Sequence, residues 1–154
     1  QRNYSLHDRA ETEGLKVLNS HGRFKIENFG EDRRYEDVWE AGEDKPDIKI
    51  IFENKVICLL DWKGKYSDWI CVNERAYNSY DRISKSLNVP IVIAMARFQK
   101  QTNNLISFQY FILPDDNLVS KKTKSWDGNI VNHFFPNKGK NFNKIDYFLD
   151  LLIK

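Results

Sequence analysis

Two carboxylates and a lysine stand in the strings Pro46-Asp47 and Asp61-Trp62-Lys63. Between them lie Ile48-Lys49-Ile50-Ile51-Phe52, a Glu53-Asn54-Lys55 turn, and Val56-Ile57-Cys58-Leu59-Leu60, which read as two buried strands folded into a hairpin. With the turn centred on Asn54, Asp47 and Asp61 are equidistant from it and face one another, and opposed residues project to the same side of a sheet. Burying charge beside a core is costly unless it is paired or binds a metal. Two adjacent carboxylates raise one pKa, and a divalent cation relieves their repulsion. Facing carboxylates with a neighbouring lysine are the groups that magnesium-dependent phosphodiester cleavage needs. The carboxylates supply oxygen ligands to a water-activating metal, and the ammonium orients water or stabilises phosphate charge.

The two-residue period of a strand sorts the remaining positions. Ile48, Ile50, Phe52, Val56, Cys58, Leu60 and Trp62 are expected on the apolar face, with Asp47, Lys49, Ile51, Ile57, Leu59, Asp61 and Lys63 on the other. Trp62 therefore belongs to the core, its backbone carbonyl being a further candidate metal ligand. Lys49 is expected to be structural or to face phosphate.

The elements that must hold these groups are legible in outline. Ser5 to about Ser20 reads as a helix capped by Ser5 and closed by Gly22, its inward stripe running through Ala10, Gly14, Leu15, Val17 and Leu18. Glu11 falls on or beside that stripe and His7 lies one turn earlier on the same side, while Glu13 points to solvent. Phe24 to Phe29 is expected as a first strand. Residues 30–45 carry seven acidic and three basic side chains and read as an exposed loop, with a second reading as a substrate-facing flap bearing Arg33, Arg34 and Tyr35. A helix from Asn73 to about Leu87, a central strand from Ile91 to Phe98 and a strand from Ile106 to Leu113 follow. Residues 114–141 give no secure assignment, and Phe142 to Ile153 closes the chain as a helix. This order predicts an α/β sandwich with a central mixed sheet flanked by helices, in one domain with a core over about 5–113 and a variable segment at 114–154.

A chain of 154 residues is long enough for a real core, and no run approaches the roughly 18 apolar residues of a membrane span. Cys58 and Cys71 lack a metal-ligand spacing, which favours free thiols and an intracellular, cytoplasmic or nucleoid-associated location. His21 and His133 read as surface or loop residues. Charge is uneven: residues 1–61 sum to −4 and residues 62–154 to +6. An acidic pocket beside a basic half, with Lys121, Lys122 and Lys124 available for phosphates, suits a nucleic-acid partner.

The Pro46-Asp47 and Asp61-Trp62-Lys63 strings, with an upstream helix carrying Glu11 and the helix and strand that follow, resemble the PD-(D/E)xK nuclease superfamily, the restriction-endonuclease-like fold. Residues 7–98 cover its common core. Within it the chain looks most like archaeal Holliday junction resolvase-like nucleases, which also place a helix-one glutamate eleven residues before a glycine, as Glu11 and Gly22 are placed here. The resemblance implies Glu11, Asp47 and Asp61 as ligands of Mg²⁺ or Mn²⁺, Lys63 as the catalytic lysine, DNA as substrate and a homodimer as the working form. Asp61 stands where those enzymes usually carry glutamate. The cap-snatching endonucleases of segmented negative-strand RNA viruses are similar through the Asp-aromatic-Lys string, and many carry a metal-binding histidine in the first helix, a place that His7 would fill. The expectation is a metal-dependent endonuclease acting on DNA, structure-specific in the resolvase manner. Its alternatives are an RNA endonuclease of the cap-snatching type and a non-catalytic nucleic-acid-binding module on the same fold.

Overall fold

The computed structural model describes residues 4–20, 22–30, 44–66 and 70–154. Helix α1 (Tyr4–Asn19) leads into β1 (Lys25–Asn28), β2 (Ile48–Phe52) and β3 (Lys55–Lys65); β4 (Cys71–Asn73) then feeds α2 (Glu74–Leu87) and β5 (Ile91–Phe98). Strands β6 (Leu105–Leu113), β7 (Val119–Lys124), β8 (Ile130–Phe134) and β9 (Lys140–Asn141) precede α3 (Ile145–Leu152). The main sheet has the order β1-β2-β3-β5-β6-β9, with β3 and β5 parallel and the other pairs antiparallel. A smaller sheet, β4-β8-β7, lies beside it.

Two apolar clusters cover the two faces of the main sheet. Leu6, Ala10 and Leu18 of α1 and Ile145 and Leu149 of α3 pack with Ile48, Ile50, Leu60, Trp62 and Ala94 on one side. Ala76, Tyr80 and Ile83 of α2, with Val72 and Phe134 of the small sheet, pack with Leu59, Ile93, Met95 and Phe111 on the other. The mixed α/β sandwich expected from the element order is therefore the fold observed. Burying a Leu or Ile side chain contributes about 1.5–3 kcal/mol each, so these two layers fix where each helix sits.

Helix α1 buries a stripe at four-residue spacing, Leu6, Ala10, Gly14 and Leu18, while Leu15 and Val17 are only half-buried. Ser5 is already inside the helix and so is not its cap. Two glycines let α1 lie directly on β3. A Cβ on Gly14 would overlap the Trp62 ring, and one on Gly64 would overlap the Leu6 carbonyl. In α2, Asn73 holds the N-cap position without a side-chain cap bond, and Asn88 closes the other end in the left-handed conformation at φ 57°.

The hairpin differs from expectation at its turn. Glu53 and Asn54 alone form the turn, at φ 52° and 64°, the conformation that matches the twist of flanking strands. Pairing is as expected from Ile48↔Leu60 to Ile50↔Cys58, but then slips to Ile51↔Val56 and Phe52↔Lys55. The extra residue inverts the alternation. Ile57 joins Cys58 in the α1-side cluster, and Val56 packs on the α2 side, the reverse of the expected faces.

The segment at 114–141 contributes β7, β8 and β9, none of which was expected. His133, expected at the surface, is 6% exposed in β8, where Nε2 lies 2.7 Å from Thr123 Oγ1. Cys58 is buried and Cys71 half-buried, both as free thiols. Among the described residues no helix is long and apolar enough to cross a membrane. His21, Arg33, Arg34 and Tyr35 lie outside the described residues.

Candidate active site

The slip occurs nearer the turn, so the open end of the hairpin keeps the register that matters. Asp47 sits immediately before β2, and both its backbone groups are held: its N–H donates to the Leu60 carbonyl at 3.0 Å and its carbonyl accepts from Phe29 N–H at 3.0 Å. Its side chain completes the ladder where β2 has ended. Asp47 Oδ2 accepts the backbone N–H of Trp62 at 2.8 Å. A strand residue points its N–H and C=O to the same edge, so the Trp62 carbonyl also emerges on the Asp47 side.

Asp61 is 3% exposed, with the Asp47 carboxyl close enough to act on it. Burial pushes the Asp61 carboxyl up to about 7, outweighing the Lys63 charge beside it, and the neighbouring Asp47 adds to the rise. Burial pushes Asp47 the same way, but the His7 hydrogen bond and the Trp62 N–H prevail and hold it below its ordinary value. Of the two carboxyls, Asp61 is therefore the one that takes up a proton more readily and Asp47 the one that stays ionised. Lys63 Nζ lies 3.0 Å from Asp61 Oδ2, close enough for an ion pair but off the hydrogen-bonding direction, and that buried oxygen has no directed donor. Burial lowers the Lys63 pKa, but the contact with Asp61 together with the Asp47 and Asp44 charges leaves it above its ordinary value. The ammonium also sits 6.0 Å above the Tyr80 ring. Burial, then Asp61, keeps the Tyr80 phenol protonated far above its usual range.

From the other side of the sheet, α1 delivers His7. Its Nε2 lies 3.1 Å from Asp47 Oδ2. The Asp47 hydrogen bond raises the imidazole to about 9 against the opposing effect of burial. Glu11, the helix-one ligand implied by the resolvase resemblance, has a different neighbourhood. Its carboxylate lies within 4.8 Å of ligand atoms of His7 and Asp8, and no described contact joins it to Asp47 or Asp61. The helix face carrying both residues was legible from sequence, but their order of approach was not. His7 is adjacent to Leu6, whose backbone touches Gly64, so the first turn of α1 is the part pressed against β3.

Lys49 is corrected as a phosphate contact. It is 1% exposed, faces Glu27 across β1–β2, and pairs with that carboxylate at 3.7 Å. Among the described residues the other basic candidates, Lys121, Lys122 and Lys124, lie on exposed β7, where Lys122 Nζ meets Glu74 Oε2 at 2.6 Å. Sequence reasoning missed Tyr80 and Gly64. Tyr80 lies on the buried face of α2 with Ala76 and Ile83, and nothing in the sequence marks its polar end.

The donor set suits a hard divalent cation. Two carboxylates, one with an oxygen lacking a directed donor, and a backbone carbonyl on the same edge are oxygen ligands, while His7 Nε2 is engaged by Asp47 and the His7 side chain groups with Asp8 and Glu11 on α1. A surface cavity of about 420 Å³ lined by Phe52, Val56, Pro90 and Leu152 lies at the turn end of the hairpin, away from this set. No family model, curated protein or solved structure matches the chain.

Proposed function

We propose that this protein is a metal-dependent endonuclease hydrolysing phosphodiester bonds, with DNA as the first expected substrate. The observation that carries the reading is the pairing of half-buried Asp47 with buried Asp61, whose Oδ2 has Lys63 at 3.0 Å but no directed hydrogen bond. Mg²⁺ or Mn²⁺ held by Asp47, Asp61 and the Trp62 carbonyl would polarise the phosphate and acidify a bound water. Every other part is supplied by the chain. Lys63 remains charged despite its burial, so it stabilises negative charge gathering on phosphate oxygens in the transition state. His7 and the Trp62 N–H together fix the orientation of the Asp47 carboxylate. Tyr80 forms an aromatic wall that limits where the Lys63 ammonium can sit.

One observation favours a second reading of the substrate. His7, not Glu11, is the helix-one residue in contact with Asp47, the arrangement that the cap-snatching resemblance implies and the resolvase resemblance does not. Cleavage of a labelled four-way junction, linear duplex, single-stranded DNA and single-stranded RNA, with Mg²⁺ or Mn²⁺, separates these. Asp61→Ala is the control. Paired nicks at the junction support the resolvase-like enzyme, and preferential RNA cutting supports the second reading. The absence of mutant-sensitive cutting on every substrate would leave only a binding module.

A further inference from the structure

The hairpin of β7 and β8 ends in Ser125-Trp126-Asp127-Gly128-Asn129, and the indole of Trp126 is 98% exposed. Leaving so much apolar surface in water is unfavourable, and a flexible tip would fold the ring onto the nearest strand. The backbone of this tip is instead held in place. Ser125 N–H donates to the Asn129 carbonyl at 2.8 Å, and Gly128 N–H to the Ser125 carbonyl at 2.9 Å. Asp127 accepts from the Ser125 hydroxyl and, through both carboxylate oxygens, from the backbone N–H and side-chain amide of Asn129 at 3.1 and 3.0 Å. Gly128 adopts φ 89°, which other residues rarely take. The turn is thus cross-braced by three polar side chains while its one large side chain touches solvent.

The strand leading to the tip is basic and aimed. Lys121, Lys122 and Lys124 are exposed on β7, and Lys122 is anchored to Glu74 in the first turn of α2 at 2.6 Å. Lys124, two residues on, lies on that same face. Strands β4 and β7 both run antiparallel to β8, and Thr123 and Asn73 both register with Val131. The tip therefore projects beyond the start of α2. That end of α2 neighbours the candidate active site, since Arg75 pairs at 3.1 Å with Asp44, three residues before Asp47. Lysines alone would be explained as protection of an exposed sheet edge. A braced, outward-facing tryptophan would not, because it adds an adhesive surface to that edge.

We infer that the β7–β8 hairpin is a nucleic-acid arm, with Trp126 stacking on an unpaired base and Lys124 and its neighbours following the adjoining backbone towards Asp47 and Asp61. Single strands and unpaired segments are the fitting ligand, because a base must be unstacked from its neighbours to accept the indole. This inference deepens the nuclease reading and rests on it for the direction in which the strand runs.

The test measures binding of short labelled single-stranded DNA, single-stranded RNA and blunt duplex to the full chain in EDTA, where cleavage is absent. Trp126→Ala is expected to weaken single-strand binding by about tenfold or more, Trp126→Phe to retain most of it, and neither to alter blunt-duplex binding. Lys124→Ala should reduce the salt dependence on every ligand. Unchanged single-strand affinity in Trp126→Ala, or an equal loss on blunt duplex, overturns the inference. Preference between the DNA and RNA strands identifies the source of the unpaired base. Mn²⁺-dependent hydrolysis of bis(p-nitrophenyl) phosphate, too small to reach the arm, reports separately on the metal site. Its absence in the wild type would count against the nuclease reading while leaving the binding result to stand.

Discussion

The imidazole of His7 meets the carboxylate of Asp47, 40 residues away in sequence, at 3.1 Å, and this contact ties helix α1 to the end of the central hairpin. The same Asp47 oxygen accepts the Trp62 N–H at 2.8 Å. Asp47 is therefore held from two elements at once, which fixes its orientation more firmly than strand pairing alone would.

The His7–Asp47 contact makes stability depend on pH at the alkaline end. The His7 pKa is raised from 6.5 to about 9 on folding, so its contribution is complete below about pH 6.5 and is lost as pH rises through about 9. The metal-free wild type should lose urea resistance between pH 6.5 and 9.5, and His7→Gln should lose markedly less. Parallel curves for the two proteins would sink the assignment.

Asp61 acts in the opposite pH range. Its folded pKa of about 7 exceeds the ordinary 3.8, so the native state holds the proton more tightly and metal-free stability falls as pH climbs from about 4 through 7. Asp61→Asn keeps the shape without the charge and should flatten that fall, leaving the metal-free variant at least as stable as wild type at pH 8. In the wild type Mn²⁺ should raise the melting temperature, more at pH 8 than at pH 6, because the ion must displace the proton. Asp61→Asn should abolish that rise.

Lys63 can be separated from the ligands by its chemistry. Lys63→Gln should keep most of the Mn²⁺-induced stabilisation yet slow phosphodiester cleavage by about 10²–10³-fold, the usual effect of removing one group that stabilises transition-state charge. Equal loss of metal response and of cleavage would instead make Lys63 a support for Asp61.

Gly64 tests how α1 reaches the site. A methyl group there would overlap the Leu6 carbonyl, so Gly64→Ala must push the first turn of α1 away from β3. A stability loss of about 1–3 kcal/mol is expected from such overpacking. The raised His7 pKa should fall towards 6.5 with it, readable by NMR titration of the imidazole. A variant that is destabilised yet folded, with His7 titration unchanged, would separate the packing from the placement.

The strand pattern pointed to Asp47 facing Asp61, and the bulge made it so: a strict ladder from the Glu53–Asn54 turn would set Asp47 against Leu60, and the extra residue restores the expected pairs from Ile50↔Cys58 outward. The exchange of Val56 and Ile57 is thus confined to the turn side of the pairs at Ile48↔Leu60 and Lys49↔Leu59. The helices α1 and α2 and strand β5 were legible as strong apolar periods with recognisable ends. Strands β7 and β8 were not, since Val119–Lys124 offers almost no buried side chain and takes its place by pairing with β8. Only tertiary packing decided that Lys49 is buried against Glu27, that His7 rather than Glu11 meets Asp47, and that Tyr80 borders Lys63. Each depends on the depth and tilt at which a helix or strand seats against another element. That seating is set by glycine contacts and core volumes distributed over the whole chain, which no local spacing records.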